Sequence, residues 1–218
     1  ENIWTTCYNK GLYKISNKKA PFSFWSLATQ DIKSGSAMSS LTMGSDGNIW
    51  CTIQNNGLYV FNKQGELLEH PNSPMGTNLV YCDRRGRYWL CTANSIYSYN
   101  PATGLSTKLA DRHGWGINCM ADDMQGNLYV SIFGKGLWVY DMATGKSRTY
   151  SMNEQTNSDR FLWNDWIMGM KLDSSGTLWI GTAKGVSCYD TKKQEFKRFK
   201  DGCLLPNIYC NSLAEDKK

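Results

Sequence analysis

Asp173-Ser174-Ser175-Gly176-Thr177-Leu178-Trp179-Ile180-Gly181-Thr182, followed by Gly185-Val186-Ser187-Cys188-Tyr189-Asp190, is the stretch whose reading decides the fold. An Asp-x-x-Gly turn leads into a short apolar run, and a second Gly opens another. Gly supplies the positive φ that tight hairpin turns need. The runs are rich in β-branched and aromatic residues, which suit a pleated, covered surface. The stretch therefore reads as two antiparallel strands, each entered through a tight turn.

The same pattern recurs along the chain. Its anchor aromatics are Trp4, Trp50, Trp89, Tyr129 and Trp179, at intervals of 46, 39, 40 and 50 residues. Gly47, Gly86, Gly126 and Gly176 lie three residues before four of them, and Asp83, Asp123 and Asp173 lie six residues before three. A second strand follows each anchor, opening at Gly11, Gly57, Ser95, Gly136 and Gly185. A further strand precedes each turn, as in Ser39–Met43, Leu79–Cys82, Ile117–Ala121 and Ile167–Leu172. A more polar one closes the unit, as in Lys146–Tyr150 and Glu195–Phe199. Four strands in forty-odd residues is the signature of a β-propeller blade.

The expected fold is thus all-β, a propeller of five four-stranded repeats in one domain. The blades are expected at about 1–37 with 207–218, 38–76, 77–114, 115–165 and 166–206. Asn207–Leu213 reads as an innermost strand that completes the N-terminal blade. A five-repeat segment of a larger array is the alternative. Each anchor aromatic should pack between blades, and Trp179→Ala is expected to cost roughly 3–5 kcal/mol. The chain opens within a strand pattern and without Met, which reads as a processed or excised piece.

Net charge is +5, with 24 Lys and Arg against 19 Asp and Glu, and the basic residues are scattered. No basic stripe marks a nucleic-acid surface, and no long apolar run marks a membrane span. The eight Cys form no CxxC pair and there are only two His, which disfavours a zinc site. Cys82 and Cys91 flank one hairpin turn, nearly opposite each other on this reading, and two free thiols are preferred to a disulfide. The Asp-x-x-Gly turns lack the ligand alternation and closing Glu of a calcium loop. No metal or other cofactor is expected.

Asp-x-x-Gly-x-Leu-Trp-Ile-Gly-Thr…Gly-Val-x-x-Tyr-Asp resembles the two-component regulator propeller repeat. The resemblance is clearest at 173–190, good at 46–62 and 123–141, and weaker at 83–100, where Ser95 replaces Gly. It implies a periplasmic sensor module of a bacterial hybrid two-component kinase. It also implies partners: a glycan fragment or other small ligand, further domains of a sensor kinase, or a second copy of the chain.

Catalytic constellations do not emerge. His70 and His113 are far apart, no Gly-x-Ser-x-Gly elbow occurs, and Asp122-Asp123 falls at a turn. Recognition without catalysis is the expectation, with an interaction scaffold as the alternative and a propeller lyase or glycosidase as the third reading. Two connections to innermost strands break the repeat, Asp111–Gly116 and Ser151–Trp166. Their candidate ligand residues are Arg112, His113, Trp115, Arg160, Trp163, Asn164, Asp165 and Trp166. Aromatic faces stack on sugar rings, and Asn, Asp and Arg bond hydroxyls or carboxylates. Against this, Trp115 and Trp166 could simply begin strands and pack.

Overall fold

The structure is a computed structural model, described for residues 2–7, 11–16, 22–25, 37–111, 116–152, 161–197 and 208–216. It divides into two compact units, Glu1–Asp111 and Arg112–Lys218. Among the described residues every regular element is a strand, except for an isolated helical assignment at Met152.

The first unit holds three antiparallel sheets. β1 (Asn2–Cys7), β2 (Gly11–Ser16) and β3 (Phe22–Trp25) form a three-stranded one. β4 (Met38–Met43), β5 (Ile49–Ile53), β6 (Gly57–Phe61) and β7 (Leu67–Glu69) form the next. β8 (Leu79–Cys82), β9 (Tyr88–Cys91), β10 (Ser95–Asn100) and β11 (Leu105–Asp111) complete it. The second unit holds two sheets: β12 (Ile117–Asp122), β13 (Asn127–Ile132), β14 (Gly136–Asp141) and β15 (Ser147–Tyr150), then β16 (Ile167–Leu172), β17 (Thr177–Thr182), β18 (Gly185–Asp190) and β19 (Glu195–Phe196).

The register is the same in all four complete sheets. The anchor aromatic faces the residue eight before it: Thr42 opposite Trp50, Tyr81 opposite Trp89, Ala121 opposite Tyr129 and Lys171 opposite Trp179. The turn between them sets this register. Asp83, Asp123 and Asp173 each accept backbone N–H groups two and four residues on. The second carboxylate oxygen reaches the anchor itself. Trp89 Nε1 donates to Asp83 at 3.1 Å, the Tyr129 hydroxyl to Asp123 at 2.8 Å and Trp179 Nε1 to Asp173 at 2.7 Å. The β4–β5 turn has Gly44 in that place, and the buried Trp50 indole N–H has no partner among the described residues.

Sheets in each unit bury their faces against one another. Trp50, Leu58 and Val60 pack with Val80, Tyr88, Leu90 and Tyr99 in the first unit. Tyr129, Leu137 and Val139 pack with Ile167, Leu178, Ile180 and Tyr189 in the second. Coverage on both faces explains why β5 and β9 are buried along their whole length.

Three expectations are corrected. Among the described residues four sheets have four strands and the N-terminal sheet has three, so four complete four-stranded repeats stand where five were expected. The described part of the expected strand Asn207–Leu213, residues 208–213, has no strand assignment. A strand needs a ladder; Cys210 N–H makes a single backbone bond, to Thr182 O at 3.0 Å. The segment instead lies on β16 and β17, where a Cβ added to Gly169 or Gly181 would come within 2.7 Å of the Asn211 or Cys210 carbonyl oxygen. Finally, Cys82 pairs with Tyr88 and Cys91 with Leu79, so the two Cys are not opposite. Both thiols are free, as are those of Cys51, Cys119, Cys188 and Cys210.

Candidate functional site

The connection from β15 to β16 is described at its two ends, Ser151–Met152 and Phe161–Trp166. Its second end is fixed by a hydrophobic plug and by hydrogen bonds. Leu162 is fully buried in the core of the second unit. Trp163 N–H donates to Ser187 Oγ at 2.9 Å, and Met152 N–H donates to Asp165 Oδ1 at 2.6 Å. Two carbonyls then tie it to the neighbouring hairpin turns. Gly134 N–H donates to Asp165 O at 3.2 Å, and Ala183 N–H to Trp166 O at 3.0 Å. Gly136, with φ +87°, lets the backbones close up: an added Cβ would lie 2.2 Å from the Tyr150 carbonyl oxygen.

This scaffold holds an aromatic surface outward. Trp166 is 43% exposed and stacks on Phe133 with centroids 5.2 Å apart and planes 27° apart. Phe161 and Trp163 stack at 5.5 Å and 18°, both half-buried. Asn164 Oδ1 accepts the Trp166 N–H at 3.0 Å. The bond from Ala183 N–H to Trp166 O is a framework bond, because Gln54 N–H to Ala37 O and Phe133 N–H to Gly116 O repeat it. The repeat therefore asks only for a carbonyl there. Ala and Gly occupy the position in two other sheets, and a half-exposed Trp occupies it here.

Of the sequence-predicted site residues, Arg112, His113, Trp115 and Arg160 lie outside the described residues. Trp163, Asn164 and Trp166 lie on one connection, and of these Trp166 stacks on Phe133. Asp165 is 9% exposed, with Oδ1 on the Met152 N–H, and so serves the framework. Sequence reasoning missed Phe133. The signal was present: four residues after the anchor the β5–β6, β9–β10 and β17–β18 turns have Gln54, Ala93 and Ala183, all non-aromatic. His70 lies elsewhere, stacked on Tyr59 at 4.1 Å with Nε2 2.8 Å from Asn56 O, beside a cavity of about 410 Å³.

Turn Asp, anchor aromatic and repeated register define an all-β propeller fold, and comparison with solved structures agrees. The chain superposes on the extracellular domain assigned to the hybrid two-component system BT3049 of B. thetaiotaomicron with TM-score 0.75 and 19% identity. The corresponding domain of BT4673 from the same organism gives 0.73 and 18%. Each match covers 99% of this chain and 30% of the other, so this chain spans under a third of the length of those extracellular domains. A catalytically inactive virginiamycin B lyase from Staphylococcus aureus, solved with quinupristin, gives TM-score 0.67 and 16% identity over 91% of this chain and 66% of that one. No family profile and no curated protein sequence matches the chain.

Proposed function

We propose that this chain is a ligand-recognition module of sensor type, working outside the cytoplasm, and that Phe133, Trp163, Asn164 and Trp166 form its ligand surface. The observation that carries this reading is the half-exposed Trp166 at a position where the repeat needs no side chain. A large aromatic face left in water has a cost, and ring stacking against a sugar recovers it. The ligand on this reading is an oligosaccharide. No bond is made or broken; binding is passed on by contact to further domains of a sensor. The two-component neighbours support the sensor role and the extracytoplasmic location by likeness of fold.

Calorimetric titration of an oligosaccharide panel against wild type, Trp166→Ala and Trp163→Ala tests this. Binding by wild type that drops at least about tenfold in Trp166→Ala is expected, the scale of one lost stacking contact. A wild type that binds none, or a variant that binds equally well, would sink it. The interaction-scaffold reading draws on a different surface, Ile208 and Tyr209, which are 50% and 55% exposed. It expects Tyr209→Ser to weaken association with another protein and to leave saccharide titrations flat.

A further inference from the structure

The turns that grip the connection carry its charge. Gly134, bonded to Asp165 O, precedes Lys135, and Ala183, bonded to Trp166 O, precedes Lys184. One lysine thus follows each turn residue that bonds the connection, at Asp165 and at Trp166, one from each adjoining sheet of the second unit. Both are exposed. Among the described residues neither ammonium is in an ion pair. The connection's described carboxylate, Asp165, is turned inward onto the Met152 N–H. The equivalent β5–β6 and β9–β10 turns are neutral, Gln54-Asn55-Asn56 and Thr92-Ala93-Asn94. The charge therefore goes with the exposed tryptophan and is not a property of every hairpin.

Resting on the aromatic surface proposed above, we infer that its ligand is an acidic saccharide, with a ring face for Trp166 and a carboxylate or sulfate for Lys135 and Lys184. A neutral sugar would use the stack alone and leave both ammonium groups in water. An anionic one uses both, and the flexible lysine stems tolerate a range of acid positions along the ring. Lysine is also a strongly hydrated point charge, so the contribution is salt-sensitive.

The test titrates the full chain with trigalacturonate and with the matched neutral galactotriose, at about 0.1 M and about 1 M salt, where the screening length falls from about 10 to about 3 Å. Trigalacturonate is expected to bind about tenfold more tightly at the lower salt, the effect of two exposed charge contacts, and to lose that advantage at the higher. Lys135→Gln/Lys184→Gln should remove the preference and leave galactotriose binding unchanged, while Trp166→Ala weakens both. Equal binding of the two trisaccharides, or a preference that survives the double substitution, overturns the acidic-ligand inference and leaves the aromatic surface standing. Failure of wild type to bind either overturns both. Melting midpoints of the variants, expected within about a degree or two of wild type for such surface changes, confirm that each is folded.

Discussion

Asp173 shows how one carboxylate organises a blade. Burial pushes its pKa up, but the Trp179 indole, the Thr177 and Ser175 N–H groups and the Ser175 hydroxyl hold it down to about 2, against an ordinary 3.8. A carboxylate lowered on folding stabilises the fold above its unfolded pKa and loses that effect as pH falls through the folded one. The contribution should thus be complete above about pH 4 and fade towards pH 2. The melting midpoint of wild type minus that of Asp173→Asn, followed over this range, should shrink as the solution is acidified; a constant difference would refute the account. Anchor aromatics are not equal, however. Trp50 is 1% exposed, whereas Trp179 is half-buried. Trp50→Ala should therefore cost about 3–5 kcal/mol by denaturant unfolding, and Trp179→Ala about 1–3, less than the sequence alone suggested. Spacing revealed that Asp and aromatic lie six apart. It did not reveal that they bond, because a six-residue offset becomes a contact only when the hairpin folds back. Nor did it show that Gly44 would leave one indole without its acceptor.

At the scale of elements, the connection after β15 is a loop with a buried pin. Leu162 sits among Leu137, Ile167 and Leu178 with no exposure, so Leu162→Ala should destabilise by about 2–5 kcal/mol. The same substitution should also loosen Trp166, measurable as a change in tryptophan fluorescence. Gly136→Ala meets both a positive φ and the Tyr150 carbonyl oxygen, and should lower the melting midpoint more than Leu162→Ala lowers it. The strands were legible because alternation and turn residues repeat: four of the five expected innermost strands match β4, β8, β12 and β16 within one residue at each end. The candidate surface was half legible. Its aromatics broke the repeat and drew notice, but the inward turn of Asp165 and the stack on Phe133 depend on packing between two elements, which no local pattern encodes.

Across the whole chain, repeat counting found five units and the structure completes four of them as four-stranded sheets. The counting failed at residues 208–216 because an innermost strand of a propeller is recognised by its partner, and polar Asn211, Ser212 and Glu215 carry no strand pattern of their own. Thiols are a global test of the packing. Burial raises Cys51 and Cys188 to about 12 and Cys119 to about 11, and Cys91 is raised further still. These four should resist a maleimide at pH 7 and react once denaturant is added, because thiolate is the reactive form; fast labelling of any of them in the native protein, read by peptide mapping, would contradict the packing. The seat for residues 208–216 has one more consequence, in the order of synthesis. β16 and β17 are made first, and their Gly169–Gly181 face waits for Cys210 and Asn211 to be added. At about 5–20 residues per second the ribosome leaves that face open for seconds. A released chain truncated after residue 207 should therefore be the sticky form of this protein, captured by chaperones far more than one that runs through residue 218.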